Sequence, residues 1–364
     1  MQLAKHLGSF TRETRDIIND NFAALALGGL TGKGYYVDPA YGGDSIDENR
    51  GQDIDTAYST IYRGYAQLRT GRNDAVLLVP NGAASGAARL SVANHASVVP
   101  GATTGTLTWA KNAAHLIGLG PSGMNGGRCR LAVPTGTYTA ATFGAVNFVV
   151  VSGSGNYFKN INIYESFSTG AVDEIALTVS GSYNVFENCH FAASLDAASA
   201  ADAGSRSLKV TGQYNIFKNC TIGYTDATAR RSAANASLEF ASAAANNYFI
   251  DCYFPFKTAT STVLGIIVSA AGGMGQLNHF ERCHFINSGA LAGGATMAAV
   301  ATMAASAGGG LWMKDCARML ITDWGTDATT NAQIYLSGVP GGAQAAAGTI
   351  LGDDVGRSVV AASS

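Results

Sequence analysis

The sequence predicts an all-β fold, a single-stranded parallel β-helix in which coils of about thirty residues stack into a solenoid. Two observations support this: a repeat that runs through the second half of the chain, and the absence of a helical pattern of ten or more residues inside any copy. The repeat reads N-x-F-x-[ND]-C-x-[FI], and successive copies begin 28 to 33 residues apart. The copies start at Asn156, Asn184, Asn215, Asn247 and Asn278, with a degenerate sixth copy at Leu311.

Each copy predicts a short strand, a bend and a second short strand. Phenylalanine alternates with a charged residue, which is the period-2 pattern of a half-buried strand. Asn or Asp follows and tolerates the left-handed conformation that bends the chain. Because stacked coils repeat every 4.7–4.9 Å or so, each repeat position becomes a column of side chains. The expected inward columns are Phe158, Phe186, Phe217, Phe249 and Phe280, and Cys189, Cys220, Cys252, Cys283 and Cys316; the expected bend column is Asn160, Asn188, Asn219, Asp251, Arg282 and Asp315.

The charged residues between these columns nearly alternate in sign along the solenoid. They are expected to face outward and to form ion pairs between coils. In the bend column, Arg282 is expected between the carboxylates of Asp251 and Asp315. The outward charged column comprises Lys159, Glu187, Lys218, Glu281 and Lys314, with Ile250 between the third and fourth.

The cysteine column has two interpretations, inert packing or metal and redox chemistry. Parallel neighbouring strands give poor geometry for a disulfide, and a buried free cysteine behaves as a small hydrophobic side chain. The six cysteines include no C-x-x-C pair, which argues against a zinc site or a thioredoxin-like motif. We therefore expect packing, and the sequence predicts neither a cofactor nor a metal.

Two helices are predicted in the N-terminal third. Residues 10–27 form an amphipathic pattern, and residues 53–70 place Ile54, Ile61 and Leu68 on one apolar stripe. The predicted organisation is an N-terminal helix and connector over 1–34, a β-helix over 35–336 with a capping segment at 35–72, and a Gly/Ala-rich arm over 337–364.

The run from Tyr35 to Gly82 resembles the opening segment of right-handed, pectate-lyase-like β-helix proteins, with Asn73 and Asp74 at the family's G-D position. The run HLIGLG from His115 resembles a later coil of the same family, and the resemblance covers about residues 35–320. It implies a right-handed solenoid whose first coil is covered by a capping helix. Such a helix would shield otherwise unpaired strand edges.

The run from Thr14 to Leu25 is similar to N-terminal segments of tailed-bacteriophage virion proteins. The resemblance implies a homotrimeric, non-enzymatic structural protein on the particle surface, as a capsid decoration or a tail-fibre or spike component. Its partners would be other virion proteins. Assembly in the bacterial cytoplasm would keep the thiols reduced. The residues expected to anchor it to the particle are Ile17, Ile18, Phe22 and Leu25.

Charge composition argues against two classes of partner. The 23 basic and 25 acidic side chains give a net charge of −2, whereas binding to nucleic acid or an anionic membrane favours a positive excess. The uncharged stretch from Cys283 to Met313 consists mostly of Gly, Ala, Ser and Thr and is too weakly apolar to predict a membrane span. Residues 1–30 lack the pattern of a signal peptide.

A polysaccharide-binding or polysaccharide-degrading tailspike-type enzyme is the main alternative. Hydrolysis needs two carboxyl groups about 5–9.5 Å apart. The outward positions His190, Thr221, Tyr253 and His284 include no acidic pair, so no catalytic residue is assigned.

Two binding alternatives stay open at the sequence level. Acidic residues before the second helix suit either a calcium ion or a helix N-terminus. Exposed aromatic residues suit either a host surface glycan or contacts within a trimer. The acidic residues are Asp44, Asp47, Glu48, Asp53 and Asp55, and the aromatic residues are Tyr157, Tyr248, Tyr253, His190 and His284.

Overall fold

The computed structural model is a right-handed parallel β-helix with three long sheets, which confirms the predicted fold class. Every strand pair joins one coil to the next in parallel, as between Phe186 and Phe217. The structure describes residues 32–39, 42–43, 50–80, 90–91, 106–120, 129–132, 147–165, 174–193, 200–224, 231, 235–242, 244–268, 274–291, 293–303, 309–327, 333–339 and 350–351. The predicted helix over 10–27 and most of the C-terminal arm lie outside these residues.

Each regular coil crosses the three sheets in the same order. The first sheet contains β4 (Leu107–Trp109), β7 (Asn147–Val151), β10 (Ile175–Val179), β13 (Arg206–Val210), β16 (Ala236–Phe240), β19 (Leu264–Val268), β22 (Met297–Met303) and β25 (Ile321–Asp327). The second sheet contains β1 (Gly34–Val37), β2 (Asp74–Leu78), β5 (Ala114–Gly118), β8 (Tyr157–Lys159), β11 (Val185–Glu187), β14 (Ile216–Lys218), β17 (Tyr248–Ile250), β20 (Leu277–Glu281), β23 (Gly310–Lys314), β26 (Gln333–Ser337) and β27 (Ile350–Leu351). The third sheet contains β3 (Leu90–Ser91), β6 (Arg130–Ala132), β9 (Asn162–Tyr164), β12 (His190–Ala192), β15 (Thr221–Ile222), β18 (Tyr253–Phe256), β21 (His284–Asn287) and β24 (Ala317–Met319).

Helices are short in the described part of the chain. They are a 3-10 helix over Ile54–Thr56, α1 over Ile61–Gln67 and α2 over Ser288–Leu291. None of the helices within the described ranges is long and apolar enough to cross a membrane.

The predicted continuous helix over 53–70 is wrong in extent. Ala57 leaves the 3-10 helix with ψ of 151°, and Tyr58 then pairs with Val37 as an isolated β-bridge. Thr60 begins α1 by accepting a hydrogen bond from the Arg63 amide. The break leaves Ile54 50% exposed, although the periodicity placed it on the buried stripe. Pairing of this segment with β1 therefore outweighs its helical periodicity.

The segment around α1 is fastened to the coil that contains β4 and β5. The Lys111 ammonium donates to the carbonyl oxygens of Tyr65 and Leu68 at 2.7 Å each, and so caps the last turn of α1. In return, the Tyr65 hydroxyl accepts hydrogen bonds from the backbone amides of Ala110 and Lys111, and its ring lies 4.6 Å from that of Trp109. The capping helix that the sequence predicts is thus tied to the solenoid by reciprocal contacts.

Asn73 and Asp74 lie at the start of β2, and the conformation of Asn73 explains why asparagine can stand where the similar proteins have the glycine of G-D. Asn73 has φ of 56°, a left-handed conformation that asparagine tolerates better than most residues. The buried Asp74 carboxylate accepts hydrogen bonds from the backbone amides of Lys33 and Arg69, both at 2.9 Å. The carboxylate therefore ties two preceding segments to the first coils.

Candidate functional site

The interior of the solenoid contains an unbroken stack of phenylalanine rings. Phe158, Phe186, Phe217, Phe249 and Phe280 are register partners on the second sheet, and each is at most 2% exposed. Consecutive ring centroids lie 4.6–4.8 Å apart with interplanar angles of 5–10°. Met313 follows Phe280 in the same column. The stack matches the spacing between coils, so each ring packs against its neighbours above and below.

The cysteine column lies beside this stack, and its thiols are free and buried. Each Sγ donates a hydrogen bond of 3.3–3.5 Å to the carbonyl oxygen of the phenylalanine one coil earlier. Burial raises the pKa of the Cys189 thiol. Because every S–H group in the column has an acceptor and every thiol is buried, this arrangement favours packing as the role of the thiols. The column consists of Cys189, Cys220, Cys252, Cys283 and Cys316.

A third interior column, of asparagine, was not assigned a role from the sequence. It comprises the first residue of each repeat, Asn156, Asn184, Asn215, Asn247 and Asn278, and every member is at most 1% exposed. Each side-chain oxygen accepts a hydrogen bond from the backbone amide of the preceding coil at 2.8–3.1 Å. The signal was visible, because Asn lies two residues before the inward phenylalanine and therefore faces inward in a strand of period two.

The bend between the second and third sheets contains the residues predicted to occupy it. All six have φ between 51° and 57°, which is the left-handed region: Asn160, Asn188, Asn219, Asp251, Arg282 and Asp315. Along the column, the Asn188 side-chain amide donates to the Asn160 side-chain oxygen at 2.9 Å. Asparagine and aspartate accept this conformation at low cost, which explains why they occupy five of the six positions.

The outward charged column forms ion pairs between coils. Lys159 and Glu187 approach to 3.9 Å, and Lys314 and Glu281 to 3.1 Å. Such exposed pairs add little to stability, because solvent and salt screen them.

Arg282 occupies the bend position between Asp251 and Asp315, as predicted, but within the described residues its guanidinium bonds to Asp251 and not to Asp315. Its guanidinium donates to both oxygens of Asp251, at 2.7 and 3.1 Å, and to Glu281, the residue before it. Hydrogen bonding from Arg282 lowers the pKa of Asp251, and hydrogen bonding from Lys314 lowers that of Glu281. Both carboxyl groups therefore stay ionised at neutral pH and are unsuited to serve as a general acid.

His190 was expected to be exposed on the third sheet, and this expectation is wrong. Its side chain faces outward but is 0% exposed, because Tyr164 and Tyr224 cover it with ring centroids at 4.9 and 5.8 Å. Nε2 donates to the Gly223 carbonyl at 2.8 Å, so Nδ1 accepts from the Tyr164 hydroxyl at 2.8 Å. Desolvation lowers the pKa of His190 to about 4, which keeps the ring neutral.

The other outward positions of the third sheet differ in exposure along its length. Thr221 is buried, Tyr253 is half-buried and His284 is exposed. Near the bend, the exposed His284 shares this surface with Asp251 and Arg282.

The outer face of the second sheet exposes a line of apolar and aromatic side chains. Its register column runs Tyr157, Val185, Ile216, Tyr248, His279, Trp312 and Tyr335. Tyr248 and Trp312 are each 40% exposed. At the turns that precede β11 and β14, the rings of Tyr183 and Tyr214 stack at 5.0 Å. His279, Trp312 and Tyr183 were missed in the sequence because these outward repeat positions, unlike the inward phenylalanine position, are aromatic in only some copies.

The acidic segment before α1 is described in part. The Asp53 carboxylate caps the 3-10 helix by accepting a hydrogen bond from the Asp55 backbone amide at 3.1 Å. This is the helix N-terminus that the sequence offered as the alternative to a calcium site. Asp44, Asp47 and Glu48 lie outside the described residues. Among the residues that are described, no three His, Cys, Asp or Glu side chains are grouped in a way that could hold a metal ion.

Comparison with known proteins identifies the fold. The structure is similar to pectate lyase Pel9A, with a TM-score of 0.53, 15% identity, and coverage of 88% of this chain and 78% of the other. It is also similar to pectin methylesterase PemA from Erwinia chrysanthemi, with a TM-score of 0.53, 14% identity, and coverage of 85% and 90%. These likenesses show the fold of the chain, a parallel β-helix.

A third similar structure is a full-length tailspike protein 2 from an Escherichia coli O157:H7 bacteriophage, with a TM-score of 0.40, 9% identity, and coverage of 81% of this chain and 37% of the other. Neither a family model nor a curated protein sequence matches the chain. The likenesses to the pectate lyase and the pectin methylesterase show the β-helix fold alone, so activity is argued from the residues.

Proposed function

We propose that this chain is a non-enzymatic structural protein of a tailed-bacteriophage virion, exposed on the particle as a capsid decoration or a tail-fibre or spike component. The observation that carries the proposal is the set of continuous interior columns of Phe, Cys and Asn. Each coil contacts its neighbours through all three, which makes the body a stiff rod that resists local opening. A rod of this kind suits a mechanical role on the outside of a particle.

The proposed attachment to the particle is through the N-terminal segment that resembles virion proteins. Its apolar residues Ile17, Ile18, Phe22 and Leu25 would contact another virion protein after assembly in the bacterial cytoplasm. The predicted anchor lies outside the described residues, so its support is the sequence pattern alone.

Mass spectrometry and immunoelectron microscopy of purified particles test the proposal. We expect the chain on the particle surface, and we expect a variant lacking residues 1–30 to fold but not to be incorporated. Serine at Ile17, Ile18, Phe22 and Leu25 should have the same effect, whereas Asp20→Ser is the matched polar control. Particles that lack the wild-type chain would contradict the virion role, and normal incorporation of the truncated chain would contradict the anchor.

A polysaccharide-binding or polysaccharide-degrading tailspike-type protein is the second candidate. The polysaccharide-related names of the similar folds and the exposed group of Asp251, Arg282 and His284 favour it. The lowered pKa values of Asp251 and Glu281 count against a hydrolase on this surface. Purified chain incubated with a panel of bacterial polysaccharides should release no shorter product. Product that disappears in Asp251→Asn but persists in Asp202→Asn would replace the structural proposal with the enzymatic one.

A further inference from the structure

Two exposed tyrosine rings lie against each other at the turns between the first and second sheets, outside the interior columns and the ion pairs. The rings of Tyr183 and Tyr214 stack with centroids 5.0 Å apart and an interplanar angle of 1°. Tyr183 is 62% exposed and Tyr214 is 41% exposed. Neither phenol hydroxyl makes a hydrogen bond within the described part of the chain. The two phenols are therefore adjacent, open to solution and not held by other groups.

The backbone at both tyrosines adopts a conformation that bulky residues rarely take. Their φ values are 58° and 56°, in the left-handed region. The equivalent positions one coil before and one coil after are Gly155 and Asn246, residue types that adopt this region at low cost. The amides of Gly155, Tyr183 and Tyr214 each donate to the carbonyl that precedes the equivalent residue of the next coil. A conformational cost at both members of an exposed pair indicates a role for the side chains beyond the local fold.

Other tyrosines of the described chain lack part of this combination. Tyr248 is 40% exposed, but its ring stacks on His279 rather than on a second phenol. The rings of Tyr164 and Tyr224 lie 5.9 Å apart but are inclined at 61°, and the buried Tyr164 hydroxyl is bonded to His190. The stacked pair at the turns is thus where two exposed phenols of one chain meet.

We infer that Tyr183 and Tyr214 are a site of oxidative cross-linking, at which a haem peroxidase with hydrogen peroxide joins the two rings as dityrosine. The peroxidase takes one electron from each phenol and each hydroxyl loses its proton, which gives two tyrosyl radicals. The radicals form one carbon–carbon bond between ring carbons ortho to the hydroxyls, and the hydrogen on each of these carbons then moves to the phenol oxygen. The two electrons and two protons reduce one molecule of hydrogen peroxide to two of water.

The surface position of the pair allows this bond and gives it a consequence. Both side chains can turn about their own single bonds to bring the ortho carbons together, because no core contact fixes the rings. The bond would join two consecutive coils and close a loop of one coil of chain. Such a cross-link stabilises mainly by restricting the unfolded chain. The inference does not depend on the virion role, because it concerns the purified chain alone.

Peptide mass spectrometry of the full chain, treated with a haem peroxidase and limiting hydrogen peroxide, tests this inference. Trypsin cleaves between the two tyrosines, after Arg206, so they fall on separate peptides. We expect a linked pair that is lighter than the sum of its peptides by two hydrogen atoms. Fragmentation should place the bond on Tyr183 rather than on Tyr164, which shares its peptide. The yield should fall at least tenfold in Tyr214→Phe but not in Tyr248→Phe, the matched control.

A mixture of unlabelled and isotope-labelled chains distinguishes a bond within one chain from a bond between two. The inference is overturned by a native chain without a bond at this pair, by a bond found between chains alone, or by equal yields from the two phenylalanine variants. Urea unfolding measures the consequence. The linked chain should have a higher midpoint than the untreated chain, while treatment should leave the midpoint of Tyr214→Phe unchanged. A linked chain with an unchanged or lower midpoint would show that the bond does not stabilise the solenoid.

Discussion

The side-chain oxygen of Asn215 accepts hydrogen bonds from both amides of Asn184, the backbone N–H at 3.0 Å and Nδ2 at 3.1 Å. In the next coil, the side-chain oxygen of Asn247 accepts hydrogen bonds from the backbone N–H and Nδ2 of Asn215, both at 3.0 Å. The column begins where the Ala114 amide donates to Asn156, and Leu311 takes its place after Asn278. Each asparagine from Asn156 to Asn247 thus accepts a hydrogen bond from the preceding coil and donates its backbone N–H to the asparagine of the following coil.

Asn215→Leu should therefore destabilise the solenoid. It leaves two buried N–H groups of Asn184 without an acceptor, and each such group costs about 1–3 kcal/mol. We expect the free energy of unfolding in urea to fall by roughly 2–4 kcal/mol. Gln276→Ala, which removes an exposed amide bonded to Asn246, is the control and should change it by less than about 0.5 kcal/mol. Equal stability of the two variants would show that the asparagine column adds nothing.

Phe217→Ala tests the ring stack at its centre. Phe217 lies 4.8 Å from Phe186 and 4.6 Å from Phe249, so its removal opens a cavity between two coils. Truncation of a buried phenylalanine costs about 3–5 kcal/mol. Native-state hydrogen exchange should quicken most in β11, β14 and β17, because coils contact their neighbours alone. Lys218→Ala, at the next and exposed position, should leave exchange in these strands unchanged, and a uniform change across the solenoid would argue against this local coupling.

The solenoid was predictable because the same local chemistry recurs in every coil. One phenylalanine with one asparagine bend is a weak signal, but the register Phe158 to Phe280 repeats it at a nearly constant spacing. The left-handed bend was predictable for the same reason, since Asn, Asp and once Arg occupy one repeat position.

The exposure of outward residues was not predictable, because it depends on segments that do not repeat. His190 is buried because Tyr164 and Tyr224 cover it, while His284 at the equivalent position three coils further is exposed. The predicted extent of the capping helix was wrong for a similar reason, because the β-bridge between Tyr58 and Val37 competes with helix formation. Long-range contacts of this kind leave no period in the sequence.

The left-handed bend predicts different effects for two substitutions of Asn219, whose φ is 53°. Asn219→Val should lower the free energy of unfolding by about 1–2 kcal/mol, since a β-branched side chain clashes in this conformation. Asn219→Gly adopts it freely and should be close to neutral. Thermal unfolding followed by circular dichroism compares them. If the valine variant were as stable as the glycine variant, the bend would not require the left-handed conformation.

Two buried histidines predict a loss of stability in mild acid. Burial lowers the pKa of His115 and of His190 to about 4, whereas an unfolded chain titrates near 6.5. The unfolded state therefore binds more protons between these values, and the stabilisation is complete above about pH 6.5 and declines as the pH falls toward 4. For His190 the decline is about 3 kcal/mol.

Urea unfolding of wild type, His190→Gln and His284→Gln between pH 4 and 7.5 measures this dependence. The His190 variant should have lower stability at neutral pH and a shallower decline in acid, while the exposed His284 control should follow the wild type. A His190 variant whose stability falls as steeply as that of the wild type would assign the acid sensitivity to other groups.

The buried thiols predict an unreactive native state. Burial raises the pKa of Cys189 and of Cys252, and each thiol already donates to a backbone carbonyl, so little nucleophilic thiolate is available. Native chain mixed with a disulfide reagent should release no chromophore over minutes, whereas all six cysteines should react in denaturant. Met319→Cys supplies an exposed thiol as a positive control and should react at once. Rapid reaction of the native wild type, or a rise in its melting temperature on addition of zinc, would show that the column has chemical access and would favour a metal or redox role over packing.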